Sequence, residues 1–150
     1  MRLSKQFFLS FVVLISLFMA GCASVPMASL DQDASAKSFM VRPDKAAIYV
    51  YRSESIGGAI PMTVTLDGKV AGQSAMKTYF LFEVDPGPHE LSSIAENTSV
   101  VKLNAEPGRA YFLWQEVKMG MWMARTLLQQ VDEQTGRKQV AECKRAQSNL

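Results

Sequence analysis

The chain has 150 residues, 48% of them apolar, with 16 Lys and Arg against 14 Asp and Glu, one His and two Cys. Setting aside the first 21 residues, which hold Arg2 and Lys5 and no acid, leaves 14 bases against 14 acids in a remainder of one-domain size. A charge-balanced body lacks the clustered basic excess that phosphate backbones require, so no nucleic-acid partner is expected.

Residues 1–21 carry a basic start at Arg2 and Lys5, an apolar run from Phe7 to Ala20, and small residues at Ala20 and Gly21. This is the three-part secretory pattern. The run is 14 residues long, whereas a helix needs about 20 apolar residues to cross a bilayer, so a cleaved signal is expected and not a permanent span. The ending Met19-Ala20-Gly21-Cys22 resembles the bacterial lipoprotein signal, with Met in place of the usual Leu at its first position. That resemblance implies cleavage before Cys22, lipid attachment at Cys22 and, from Ala23 at the next position, an outer-membrane location facing the periplasm. Two or three acyl chains, at about 0.8 kcal/mol per buried CH2, make a durable anchor where one is marginal.

Residues 22–45 are rich in Ala, Ser and Asp, with Pro26 and Pro43 and scattered apolar positions. This composition predicts a flexible tether with a root-mean-square span of about 25 Å, with Phe39 and Val41 as its points of docking.

Residues 46–150 are read as the folded domain. Short β-branched and aromatic runs separated by turn signals predict a mainly β fold of about seven strands, an antiparallel sandwich or small barrel. Ala46–Arg52 forms the first strand; Gly57, Gly58 and Pro61 mark the following loop, and Met62–Leu66 the second strand. Asp67-Gly68 marks a two-residue hairpin into Lys69–Gly72. In Lys77–Val84, Phe80, Phe82 and Val84 share one face and Tyr79, Leu81 and Glu83 the other. Pro86 and Pro88 force a turn. His89–Ala95 and Ser99–Asn104 follow, joined around Glu96-Asn97, and Glu106-Pro107-Gly108 turns into Arg109–Lys118, the longest apolar strand and the expected central one. Met121–Val131 fits either strand or helix. Asp132–Arg145 is expected to be a closing helix with Val140, Cys143 and Ala146 on one stripe, although Gly136 weakens it.

Residues Thr63–Leu91 resemble the small PEGA-type β-sandwich modules, in which a strand ends in an Asp-Gly hairpin and a later strand leads to a Pro-Gly turn. More broadly, Ala46–Arg52, Leu66–Gly68, Pro86–His89, Ala95–Asn97 and Gly108–Phe112 resemble a family of short bacterial lipoproteins catalogued only as a domain of unknown function. The resemblance implies a PEGA-like or transthyretin-like sandwich behind a lipid anchor, and no activity or cofactor.

Chemistry-bearing residues are sparse. His89 is the one imidazole base, and it follows a turn without a neighbouring nucleophile. Glu83, Glu90, Glu96 and Glu116 alternate with apolar residues, as on a solvated strand face. Cys143 has no intrachain partner once Cys22 is acylated, so burial is expected. Met119, Met121 and Met123 recur at every second position around Trp122. Extended, their thioethers would share a face suited to Cu(I), completed by His89 or Cys143; otherwise they fill core gaps. Tyr49, Tyr51, Tyr79, Phe112 and Trp114 could form an aromatic docking face or belong to the core. The sum is a lipid-anchored envelope protein that binds an envelope partner and is not an enzyme, with a periplasmic Cu(I)-binding protein as the alternative.

Overall fold

A computed structural model describes residues 25–55 and 60–150. Residues 1–21, where a signal segment is expected, Cys22, Ala23, Gly57 and Gly58 lie outside the described residues. The elements in chain order are α1 (Leu30–Ala36), β1 (Ala46–Arg52), β2 (Met62–Leu66), β3 (Lys69–Ser74), β4 (Thr78–Val84), β5 (Gly87–Ile94), β6 (Thr98–Ala105), β7 (Ala110–Lys118), β8 (Arg125–Val131), α2 (Glu133–Ala141) and β9 (Lys144–Arg145).

The strands form two sheets and not a closed barrel: a five-stranded sheet ordered β8-β7-β1-β4-β9 and a four-stranded sheet ordered β3-β2-β5-β6. Two expectations are corrected. The antiparallel rule is broken by the parallel pairs β1–β7 and β4–β9. The central strand is β1, every residue of which is buried, and not β7. Length and apolar content mark a buried strand but do not fix its place in the order. The Asp67-Gly68 hairpin is as expected, both residues having positive φ (50° and 76°), the conformation that matches strand twist.

The five-stranded sheet is covered on both faces, which sets the layer order. Ala46, Ile48, Val50, Phe80, Phe82, Val84 and Leu113 face the other sheet, where they meet Val64, Ala71, Leu91 and Leu103. Ala47, Tyr49, Tyr51, Tyr79 and Phe112 face the opposite way, onto Ala36 of α1, Val140 of α2 and Cys143. The alternation read in residues 77–84 is borne out by these two clusters. The aromatic residues are core: Tyr49 stacks on Phe112 with ring centroids 4.9 Å apart and planes at 10°.

The segment read as a flexible tether is folded from Val25 onward. Ser29 and Gln32 form a reciprocal capping box at the start of α1. Asp33 accepts hydrogen bonds from Tyr79 Oη (2.8 Å), the Arg145 backbone N–H (2.9 Å) and Lys37 Nζ (2.8 Å). Burial opposes ionisation of Asp33, but these partners outweigh it and hold its carboxyl below the usual range. Tyr49 Oη donates to the Ala36 carbonyl at 2.8 Å, and Phe39 and Val41 pack on the same cluster. Val25 is buried between the sheets, and the Pro26 carbonyl accepts the Gln147 N–H at 2.8 Å. Composition alone suggested a tether because the groups that hold this arm, Tyr79 and Arg145, are far along the chain.

A polar network closes one end of the sandwich. Gln115, fully buried on β7, accepts from Ser74 Oγ (2.5 Å) and donates to Ser93 Oγ (2.6 Å), which is 2.6 Å from Thr126 Oγ1. Asn97 pairs with the Thr126 backbone through both halves of its amide, each bond 2.9 Å, so the β5–β6 turn is latched to β8 in the other sheet.

The closing helix is shorter than the expected 132–145, running from its cap at Asp132 to Ala141, with Val140, Cys143 and Ala146 buried as the stripe requires. The ambiguous 121–131 segment divides into a loop and β8. Gly136 is explained by packing: a Cβ there would lie 2.2 Å from Phe112 Cγ and 2.3 Å from its Cβ. Ala is the better helix former by about 1 kcal/mol, so the sign of Gly136→Ala separates propensity from packing. The expected result is a net loss of about 1–3 kcal/mol, read as a lower urea midpoint at unchanged m; a raised midpoint would refute the close contact.

Candidate functional site

Among the described residues, the β7–β8 connection, residues 119–124, carries the largest run of exposed apolar side chains. Met119 is 92% exposed, Met121 81%, Trp122 88% and Met123 63%. A buried side chain of this size gains about 1.5–3 kcal/mol that these forgo, and contiguous apolar exposure marks interaction surfaces. The core-filling expectation for the three methionines is therefore overturned.

The loop is nonetheless built. The Met123 N–H donates to Glu96 Oε2 at 3.1 Å, and the Glu96 N–H donates to the Ala124 carbonyl at 3.3 Å. A Cβ on Gly120 would lie 1.9 Å from the Met123 carbonyl oxygen and 2.2 Å from Glu96 Oε2, so the chain closes around that glycine. The Ala95-Glu96-Asn97 turn holds both ends of the connection, Glu96 at the tip and Asn97 at the base of β8. Glu96 is thus a loop-holding residue, not one of an acid–base pair. Glu116 accepts from Lys118 and Gln129, Glu90 pairs with Lys102, and Glu83 is exposed on β4.

The extended face on which the copper reading rests is absent from this segment, and His89 and Cys143 stand away from it. The Met segment is a loop and not a strand, so the period-two argument for a shared thioether face does not apply to it. His89 lies near the start of β5, and the Glu96 turn that touches Met123 follows the end of that strand, about 20 Å away at the usual strand rise. Cys143 is under the helical layer of the five-stranded sheet. Among the described residues no group of three His, Cys, Asp or Glu side chains is placed to hold a metal ion. The aromatic docking face is likewise covered, Tyr49, Tyr51, Tyr79 and Phe112 being buried; Trp114 is half-buried and donates from Nε1 to Glu54 Oε1 at 2.8 Å.

His89 is committed at the opposite end of β5. Nδ1 is 2.7 Å from Asp67 Oδ2 and Nε2 is 2.8 Å from the Asp85 carbonyl oxygen. Two acceptors suit an imidazolium that donates at both nitrogens, leaving no lone pair for base catalysis. Asp67 Oδ1 accepts the Glu90 N–H at 2.9 Å, so the Leu66–Gly68 and Pro86–His89 motifs form one clasp between the β2–β3 turn and the start of β5. Burial lowers the His89 pKa, but the Asp85 carbonyl and the Asp67 carboxylate outweigh it and raise the value. For Asp67, burial raises the pKa, and the Glu90 N–H and His89 lower it further than burial lifts it.

Cys143 is inert for a different reason. Its Sγ lies 3.6 Å from the Arg52 carbonyl oxygen, and burial pushes the thiol up to about 11. Nucleophilic thiols are instead lowered and accessible.

A raised His89 pKa stabilises the fold below about pH 6.5, and that contribution is lost as pH rises through the folded value; a lowered Asp67 pKa stabilises it above about pH 3.8 and is lost as pH falls through its folded value. Wild type should therefore lose stability relative to His89→Gln as pH rises from 6 to 9, followed by urea midpoints; parallel curves would mean the clasp is not coupled to folding. Cys143 should resist iodoacetamide at neutral pH in the native protein and react in denaturant, by mass of the adduct.

The family described as "Protein of unknown function (DUF2846)" matches residues 42–126, more than half of the chain, from just before β1 to the start of β8. An uncharacterized protein from Haemophilus influenzae is 32% identical over 141 residues, spanning 92% of this chain and 83% of that protein. Neither description names an activity, a ligand or a partner. Strands β1 to β7, the His89 clasp and the 119–124 loop lie within the matched region, and the chain belongs to the DUF2846 family of proteins of unknown function.

Proposed function

We propose that this protein is a lipid-anchored lipoprotein of the bacterial envelope, with Cys22 as the acylated first residue of the mature chain, and that it works by binding at a membrane surface and not by catalysis. The Met19-Ala20-Gly21-Cys22 sequence after an apolar run supports the anchor. The docked arm adds to it: Val25 is in the core, so Ala23 and Ser24 are all that separate Cys22 from the body. Three residues reach about 10 Å, which holds the domain against its membrane.

The observation that carries the binding reading is the built 119–124 loop, which presents four large apolar side chains to solvent. The groups a catalyst would use are otherwise occupied: His89 meets an acceptor at each nitrogen and Cys143 is buried. The PEGA-like character of the sandwich, supported by the Asp67-Gly68 hairpin and the Pro86–His89 turn, belongs to the same reading, as does an outer-membrane, periplasm-facing position with an envelope protein as partner.

Replacing Cys22→Ser tests the anchor directly. The wild-type chain should incorporate labelled palmitate and fractionate with membranes, whereas the variant should do neither and should retain its signal segment. A variant that is still labelled and matured would refute the lipid site.

A further inference from the structure

We propose that the Met119–Met123 tip inserts into the same bilayer that holds the acylated Cys22, as a second and separate membrane contact of the body. This rests on the lipid-anchor reading above. The tip's chemistry is that of a membrane interface: Trp122, an amphipathic ring favoured at the headgroup level, is set among three unbranched thioethers and exposed at 88%. Arg125 stands at the start of β8 and Lys118, which is paired with Glu116 at 2.6 Å, at the end of β7, and a tip immersed in the interface would place the Arg125 guanidinium among lipid phosphates.

The topology places the two contacts apart. Parallel pairing of β1 with β7 and antiparallel pairing with β4 bring the 119–124 loop and the β3–β4 turn to one end of the sandwich. Met76, in that turn, is a further exposed apolar side chain on this end. The sheet order β8-β7-β1-β4-β9 puts the tip over one edge. The buried Val25 stands at the other, beside the tail that follows β9, where Pro26 accepts the Gln147 N–H. Four inter-strand spacings make that separation about 19 Å across the sheet, and because the arm pairs antiparallel with the tail, its N-terminal end points away from the tip, roughly 25 Å more along the strands, so the two contacts lie diagonally across the body. One lipid anchor leaves a body free to swing; a second contact at this distance fixes which face is turned to the membrane.

The bilayer is favoured over a protein partner because it is the one surface the chain's own anchor brings within reach, and because an insertion of about 5–10 Å takes up a narrow apolar tip without a shaped groove. The tip is also pre-formed, since Glu96 and the close packing at Gly120 hold the backbone, so little ordering is lost on insertion.

The test uses the full lipid-modified chain purified from bacterial membranes and reconstituted into vesicles of phosphatidylcholine and phosphatidylglycerol, with and without bromine on the upper acyl chain. Flotation with the vesicles reads the anchor. Bromine quenching, compared between wild type and Trp122→Phe, reads the tip, because Trp114 alone remains in the variant. The expected result is flotation of both proteins, with loss of emission in wild type on brominated lipid and no such loss in Trp122→Phe. Flotation with no bromine-dependent difference overturns tip insertion and leaves the anchor standing, whether Trp122 is then open to aqueous iodide or shielded by protein. Failure to float overturns the anchor and the two-contact arrangement with it. Met121→Ser, which keeps both tryptophans, should show weaker quenching than wild type; undiminished quenching would place the lipid contact elsewhere.

Discussion

The structure depends on the burial of β1 from both sides. Its odd and even positions both end in the interior, Ile48 and Val50 against the four-stranded sheet, Tyr49 and Tyr51 beneath the helices. A sheet so buried needs a layer on each face, because unsheltered aromatic surface would forfeit about 25 cal/mol for each Å² left in water. The second sheet supplies one cover. The N-terminal arm and α2 supply the other, and the tyrosine hydroxyls set where the arm sits: Tyr49 needs the Ala36 carbonyl and Tyr79 needs Asp33. An arm with this duty cannot also be a free tether.

The two ends of the sandwich are closed by different chemistry. At one, the Asp67–His89 clasp with the Asp85 carbonyl ties a hairpin turn to the start of β5 through a charged pair at the surface. At the other, Gln115, Ser74, Ser93 and Thr126 exchange neutral hydrogen bonds inside, and Asn97 and Glu96 grip β8 and the loop that leads into it. Buried neutral groups satisfied by one another add directionality that apolar packing lacks, and here they fix how one sheet lies over the other. The exposed apolar loop is attached to this rigid end, which makes it a projecting feature and not a frayed hairpin.

Much of the strand framework was legible in the residues. Alternation in 77–84 assigned the two faces of β4 correctly, since the period of two is imposed by the pleat and needs no tertiary information. Asp67-Gly68 located a hairpin because few residue pairs adopt two successive positive φ angles. The candidate site was less so. Met119, Met121 and Met123 drew notice by spacing, but whether such residues are ligands, core or exposed tip turns on the register of β7 with β8 and on the grip of Glu96, 27 positions away. His89 was visible as the one imidazole, and its partner Asp67 was hidden by a separation of 22 residues.

What the sequence determined by itself was local: the order of the first seven strands and their turns, a closing helix, and a charge-balanced body. These follow from steric and periodic rules that act over a few residues. Strand order, the parallel pairing of β1 with β7, the folding of the N-terminal arm and the exposure of the 119–124 loop were decided only by tertiary structure. Each depends on which distant groups meet, and a hydroxyl that must find an acceptor or a face that must find cover does so through space, at separations on which sequence periodicity is silent.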